Sequence, residues 1–178
     1  GGTNHTFFAS PDICANCHGF SADAIQGPVA ASLETLRDGI EAALLALIAQ
    51  QIGAGNTIDL DGEATIADVA DIAEIVFGES RGRQAMTVTF TDGTTVGPVS
   101  MNNVNVVADG GAVMGGMVVA AAGTVLGNLY DFADERLPKA GWNWDLIESD
   151  TSRGVHNFLF VNNVLNASIA AVAPLAGP

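Results

Sequence analysis

The only two cysteines of this 178-residue chain lie close together near its start, in the run Cys14-Ala15-Asn16-Cys17-His18. This Cys-x-x-Cys-His spacing is typical of covalent haem attachment, in which two thiols bond one haem and the adjacent histidine binds its iron. A structural zinc site needs four Cys or His ligands, and a thioredoxin-like motif needs a strand–helix–strand setting. A disulfide or redox pair is the remaining alternative. We therefore predict that Cys14, Cys17 and His18 hold one covalent haem c.

The chain is strongly acidic, with 20 Asp and Glu against 6 Lys and Arg and a net charge of −14. Nucleic-acid binding depends on basic residues that neutralise phosphates, so we expect no nucleic-acid partner. The acidic surplus favours a solvated surface, and it can also steer a basic partner. The length of 178 residues indicates a single domain over 1–178 with a core of its own.

The first residues, Gly1-Gly2-Thr3, lack the charged and apolar regions of a signal peptide. Haem is attached to Cys-x-x-Cys-His motifs outside the cytoplasmic membrane, as is general for proteins of this type. We therefore expect an extracytoplasmic protein, periplasmic or extracellular, from which a signal has been removed.

Proline and glycine residues interrupt the first part of the chain, so residues 1–27 are predicted to be an irregular arm that carries the haem motif. Apolar residues then recur every three or four positions from Leu33 to Ile52, which predicts an amphipathic helix with Pro28 in its first turn. A second helix is predicted from Thr65 to Phe77. Residues 28–81 are therefore expected to be helical.

The apolar period changes after the second predicted helix. Residues Met86 to Phe90 alternate in polarity, Asp92-Gly93 favours a hairpin turn, and Thr95 to Met101 can form the partner strand. Pro98 indicates that this partner lies at a sheet edge. With a third short strand just after it, residues 82–108 are predicted to form a small β insertion.

Residues Gly110 to Tyr130 carry no charge over 21 positions, which is the length of a bilayer-spanning helix. The segment contains six glycines and lacks a basic flank, so we interpret it as a buried apolar segment and expect no membrane association. Helices are predicted from Val118 to Leu137 and from Gly154 to Val172, so that residues 109–178 are helical.

These patterns together predict a fold that is mainly α with a small β insertion. In this interpretation the c-type haem lies on the irregular N-terminal arm, which packs against a helical core and a C-terminal helix.

The second axial position of the iron has several candidate ligands. Besides His18 the chain contains two histidines, His5 on the arm and His156 beside aromatic residues at a helix start. One alternative is ligation by a methionine, for which the chain offers Met86, Met101, Met114 and Met117. The other alternative is that the second position stays open. With two spare imidazoles in a haem protein, ligation by at least one of them is favoured.

Four segments resemble the terminal module of bacterial and archaeal multihaem cytochromes c, a group that includes octahaem and nitrite-reductase-type cytochromes and extracellular cytochrome filaments. They are Thr3-Asn-His-Thr-Phe7, Asp12-Ile-Cys-Ala-Asn-Cys-His18, Ala140-Gly-Trp-Asn-Trp144 and Asp150-Thr-Ser-Arg-Gly-Val-His-Asn157. The resemblance covers roughly the first twenty and last forty residues. It implies that His5 and His156 are both haem ligands. The chain departs from those relatives in having one haem motif, and in having Phe158 where they have proline.

The resemblance implies electron transfer through a haem with two histidines on iron, a state that leaves no position open for substrate. We therefore expect an electron carrier and not an enzyme. One iron takes two of the three histidines, so one histidine is left over. It can bind the haem of a neighbouring protomer, meet a haem of a larger multihaem protein, or be structural. The expected partners are redox proteins or other copies of this chain, in a homo-oligomer or filament.

The alternative function is that of a five-coordinate haem enzyme or a protein that binds a gas or a small nitrogen species. It requires that neither His5 nor His156 reaches the iron. Arg153 is then the only obvious distal group. In the electron-carrier interpretation, four aromatic residues are expected to line the haem, namely Trp142, Trp144, Phe158 and Phe160.

Overall fold

The computed structural model describes residues 22–110, 113–114, 117–118, 120–150, 154–155 and 157–177. This part of the chain contains three α-helices, α1 (Asp23–Gly53), α2 (Arg136–Ser149) and α3 (Phe158–Val172). It also contains nine strands, β1 (Asn56–Leu60), β2 (Ala64–Ile66), β3 (Ile72–Ser80), β4 (Arg83–Phe90), β5 (Thr95–Ser100), β6 (Val104–Ala108), β7 (Val113–Met114), β8 (Met117–Val118) and β9 (Val125–Asn128).

The strands form antiparallel sheets. One has four strands in the order β2-β1-β6-β9, a second has three in the order β3-β4-β5, and β7 pairs with β8. Buried apolar residues face each other across the strands, with Ile58 opposite Val106 and Ile75 opposite Val88. Helix α1 packs against both larger sheets, so a single hydrophobic core joins the helices to the strands.

Helix α1 confirms the helix predicted from apolar periodicity. Six residues of the predicted stripe are buried, namely Leu33, Leu36, Ile40, Leu44, Leu47 and Ile48, and Ile52 is partly buried. Val29 and Ala43, which were not part of the predicted stripe, are buried as well. The helix begins at Asp23, so Pro28 lies inside it and not in its first turn as predicted. Asp23 suits this start because a carboxylate interacts favourably with the positive end of the helix dipole.

The predicted fold class, mainly α with a small β insertion, is wrong, because the chain has an α+β fold. The helix predicted from Thr65 to Phe77 is replaced by β2, a 3₁₀ turn at Val69–Asp71 and β3. Ile75 and Phe77 are buried while Val76 between them is 39% exposed, which is the alternation of a strand. β-branched residues lose side-chain freedom in a helix and pack well on a sheet, and this preference overrides the helical spacing.

Residues 82–108 form strands as predicted, but they are not a separate insertion. Strand β4 pairs with β3, and β6 lies between β1 and β9. The β4–β5 hairpin around Asp92-Gly93 is confirmed, with Gly93 at φ 87°. Pro98 lies in β5, an edge strand as predicted.

The helix predicted from Val118 to Leu137 is also wrong. Here the chain forms β9, a 3₁₀ turn at Leu129–Phe132 and then α2. The Asn128 side chain accepts the N–H of Tyr130 at 3.0 Å, so it competes with continuous helix. Residues 121–126 are exposed, which contradicts the expectation of a buried segment there.

Residues Phe158–Leu175 are the stretch of the described chain that has the length and apolar composition of a membrane-spanning helix. Its mean hydropathy is 1.6 over 18 residues. One face of α3 is buried in the protein through Val161, Leu165 and Val172. Asn163 and Asn166 lie on the exposed part of the helix.

The three helices pack into one layer. Asn143 Nδ2 of α2 donates to Ser168 Oγ of α3 at 2.9 Å. A Cβ atom at Gly39 would lie 2.9 Å from Val172 Cγ2, so glycine lets α1 and α3 approach closely. This layer holds the residues that flank the predicted haem ligands.

Candidate functional site

The five predicted haem-binding residues, Cys14, Cys17, His18, His5 and His156, lie outside the described residues. The structure does describe the helix that follows the haem motif and the residues on both sides of His156. The candidate site is therefore built from these neighbours.

Helix α1 starts at Asp23, five residues after His18. The carbonyl of Ala22 accepts the N–H groups of Ile25 and Gln26 at 3.0 and 2.9 Å, which closes the first turn. Ala22 itself is buried, with 6% of its surface exposed. The end of the haem motif is thus linked by a short connection to a buried, hydrogen-bonded helix start.

The turn before His156 is packed against α1. Gly154 is buried at φ 79°, and a Cβ atom built on it would lie 3.4 Å from Val29 Cγ2 and 3.3 Å from Val161 Cβ. The N–H of Asn157 donates to the carbonyl of Gly154 at 3.1 Å. The backbone on both sides of position 156 is therefore fixed between α1 and α3.

Val29 lies seven residues after Ala22 on α1. At the helical rise per residue this separation is about 10 Å along the axis. The structure thus brings the backbone beside His156 close to the helix end that adjoins the haem motif, although more than 130 residues separate the two in sequence.

Exposed apolar side chains follow position 156 at the start of α3, where Leu159 and Phe160 are 74% and 57% exposed. Trp142 on α2 is 67% exposed and lies elsewhere, in a cleft beside the β3–β4 turn. Large apolar side chains with this exposure indicate a surface that contacts another group. A porphyrin has two apolar faces, so the residues present fit a haem beside α3.

Trp144 does not belong to this exposed group, which corrects the expectation that it lines the haem. It is 7% exposed, and its indole N–H donates to the carbonyl of Leu33 at 3.1 Å. Its ring also meets Phe77 edge to face, with centroids 5.4 Å apart. Trp144 is therefore a core residue that joins α1, α2 and β3.

Two of the four candidate methionines are packing residues. Met86 in β4 and Met101 are 0% and 2% exposed and belong to the hydrophobic core. Such burial among apolar side chains is typical of residues that stabilise the core by packing. Met114 and Met117 lie in β7 and β8.

One carboxylate links the helical layer to a sheet. Glu41 Oε1 on α1 accepts the backbone N–H of Phe77 at 2.8 Å and lies 3.7 Å from Arg37 Nε. Burial raises the pKa of Glu41, while the Phe77 hydrogen bond and Arg37 oppose that shift. This contact holds α1 against β3 on the side where Phe77 meets Trp144.

Within the described parts of the chain, no group of three or more His, Cys, Asp and Glu residues is arranged to hold a metal. The acidic run Asp59 to Glu63 covers the end of β1 and the turn to β2, and the Asp59 carboxylate accepts the N–H of Gly62 at 3.2 Å. The Asp59 carboxylate therefore stabilises the backbone of this turn by a hydrogen bond.

Two clefts were not predicted from the sequence. One, of about 330 Å³, lies between the β3–β4 turn and α2. At its wall the Tyr130 hydroxyl donates to Gln84 Oε1 at 2.9 Å, and burial raises the pKa of Tyr130. The other, of about 620 Å³, lies on the opposite side of the same turn, and Arg83 lines both. A signal was present in the sequence, since Arg81 and Arg83 flank one glycine in a chain with few cations.

Searches against protein-family models, curated proteins and solved structures find no match for this chain.

Proposed function

We propose that this protein transfers electrons through one covalently bound haem c with two histidines on its iron, as a subunit of an extracytoplasmic multihaem assembly or filament. The observation that carries the proposal is the Cys14-Ala-Asn-Cys-His18 run in a chain without other cysteines. The bound haem supplies a one-electron iron couple. The residues of the chain fix the ligands, cover the haem faces and exclude water.

The packing of Gly154 on Val29 supports ligation by His156. Ala22 is the fourth residue after His18, so the two lie at most about 14 Å apart along an extended chain. Val29 lies about 10 Å further along α1. The covalent connections therefore allow His18 and His156 to reach the same iron from opposite sides.

The exposed apolar residues support a haem beside α3. Leu159 and Phe160 would be covered by a porphyrin face, which removes their apolar surface from water. The low polarity of such a wall favours the less charged, reduced iron and raises the potential relative to a solvated haem.

His5 is the alternative second ligand. Because each iron takes two histidines and His18 is one of them, His5 of one protomer would replace His156 on a neighbouring protomer's haem. His5 lies thirteen residues before His18. A histidine donated head to tail produces a ring or an open filament, because the contact uses different surfaces on the two copies. Successive haems would then be linked by protein ligands.

The ligand assignment is tested by visible and near-infrared spectra of His156→Ala and His5→Ala, with Asn157→Ala and Thr3→Ala as neighbouring controls. In dilute solution, where copies do not associate, we expect His156→Ala to convert low-spin iron to a high-spin or His/Met form, while both controls keep the wild-type spectrum. Unchanged bis-histidine spectra in both histidine variants would contradict the assignment.

The assembly is tested by sedimentation of the same proteins. We expect His5→Ala to sediment as a smaller species than Thr3→Ala at equal concentration. Equal sedimentation of the two variants would remove His5 from the contact between protomers.

A further inference from the structure

Basic residues are rare in this chain, so their pairing is informative. Of its 6 Lys and Arg, Arg37, Arg136 and Lys139 form ion pairs with neighbouring carboxylates. Arg81 and Arg83 form none with any described residue, although acids outnumber bases by 20 to 6. These two arginines lie on either side of Gly82 at the β3–β4 turn.

The turn holds Arg81 in a backbone conformation that arginine rarely adopts. Strands β3 and β4 pair up to Ser80 and Arg83, so Arg81 and Gly82 form a two-residue hairpin turn. Arg81 has φ 56° and Gly82 has φ 74°. Asn, Asp and Gly are the residues favoured at the first of these positions. The turn alone therefore does not account for an arginine there.

Both arginines are among the residues that line the cleft of about 620 Å³ between this turn and the four-stranded sheet. The other lining residues are Asp61, Ser80, Pro98, Ser100 and Asn103. This volume is in the range of small-molecule sites. The cleft is therefore large enough for a small organic ligand, and two of its seven lining residues are arginines.

The single carboxylate among the lining residues is already engaged. Asp61 Oδ2 accepts from Asn103 Nδ2 at 3.1 Å, and the Asp61 N–H donates to the Asn103 carbonyl at 3.2 Å. Two cations therefore face one hydrogen-bonded anion, and the Ser80 and Ser100 hydroxyls add donors. The cleft is a positively charged spot on a chain of net charge −14.

We propose that this cleft binds an oxyanion, either a di- or tricarboxylate or a phosphate group. Arginine binds both kinds of anion through two parallel N–H···O bonds, which gives strong and directional recognition. The acidic surface elsewhere on the protein repels anions, so an anion is expected to bind at the two arginines and not at other places on the surface. Anion binding in this cleft does not depend on the haem, so the experiments below test it independently of the proposed electron transfer.

The same oxyanion chemistry has two sources, a free small anion and a carboxylate of a second copy of this chain. Calorimetric titration of the whole protein with citrate and with inorganic phosphate measures the binding of a free anion. Sedimentation with and without added citrate measures association through a carboxylate of a second copy, because citrate in the cleft would displace that carboxylate.

The variants are Arg81→Gly and Arg83→Gln, with Arg136→Gln as a control that removes one positive charge elsewhere. Glycine at position 81 suits the positive φ, so that variant is expected to fold. We expect each of the first two to weaken citrate binding about tenfold or more, as for loss of a hydrogen bond between charged groups. Arg136→Gln should bind citrate like wild type.

Two results support the proposal and two overturn it. Anion binding lost in Arg81→Gly and Arg83→Gln shows a free ligand, and citrate-sensitive self-association lost in the same variants shows a carboxylate of a second copy. If wild type shows neither, or if all three variants behave alike, the cleft is not an oxyanion site.

Discussion

Gly154 is the residue on which the position of His156 depends most directly. It has φ 79°, and its Cα lies so close to Val161 and Val29 that an added Cβ would meet them at 3.3 and 3.4 Å. Gly123 has the same φ of 79° but no atom within 4 Å of an added Cβ. The two glycines therefore separate the effect of backbone conformation from that of packing.

We predict that Gly154→Ala destabilises the protein by about 1–2 kcal/mol for its backbone conformation, with a further cost for displacing the two valines. Gly123→Ala should lower the free energy of unfolding only by the amount due to backbone conformation. Denaturant unfolding of the two variants measures both free-energy changes. Only Gly154→Ala should alter the spectrum of the bound haem, and equal behaviour of the two variants would argue against a packed turn beside the ligand.

Trp144 and Trp142 offer a second matched pair, since they lie two residues apart but are 7% and 67% exposed. We predict that Trp144→Phe lowers the free energy of unfolding by about 1–2 kcal/mol, because it removes the hydrogen bond to Leu33 and part of the contact with Phe77. Trp142→Phe should change it by less than about 0.5 kcal/mol. Chemical denaturation of both variants checks this, and a larger effect at Trp142 would contradict the packing described.

Among the helices and strands, those whose formation depends on residues close in sequence are the ones that the sequence predicts. The α1 stripe and the Asp92-Gly93 hairpin are local patterns, and both are confirmed. The pairing of β1 with β6 joins residues more than 40 positions apart, and no local period reports it. The run Ile72 to Phe77 fits both a helix face and a strand, and its β-branched residues decide for the strand once a sheet is present to receive it.

The contact between α1 and β3 predicts a pH dependence. Burial raises the pKa of Glu41 above its ordinary 4.5 in the folded chain. The folded state therefore binds the proton more tightly than the unfolded state, and this group's contribution to stability falls as pH rises from 4.5 through the folded pKa.

Glu41→Gln should remove this dependence and keep an oxygen that accepts the N–H of Phe77. We expect the stability of this variant relative to wild type to increase as pH rises from about 4 to 7, as measured by urea unfolding at several pH values. Glu34→Gln, at an acid with a side chain 71% exposed, is the control and should show a smaller change. A constant difference between Glu41→Gln and wild type would mean that burial does not shift this carboxyl.

At the scale of the whole molecule, the candidate site is predictable in part. The motif at Cys14 to His18 predicts haem attachment without any structure, because its spacing is typical of two thiols that bond one haem. That the turn beside His156 rests on Val29 depends on how three helices pack, which no spacing in the sequence reveals. The Arg81–Arg83 cleft likewise exists only because a hairpin tip meets a second sheet.

The net charge of −14 opposes any association between copies of the chain. Copies repel at low salt, and the repulsion is screened within about 10 Å at 0.1 M salt. We therefore predict that self-association through His5 strengthens between low salt and 0.5 M NaCl, as followed by sedimentation, and that His5→Ala shows no such increase. Association that weakens with salt would instead indicate contacts between opposite charges.

The central claim is one haem c held by two thioether bonds, and the intact mass of the denatured protein tests it most directly. For wild type made in a host that attaches haem, we predict the polypeptide mass plus that of one haem. A variant in which Cys14 and Cys17 are both replaced by alanine should have the polypeptide mass alone. A wild-type mass without added haem would contradict the account.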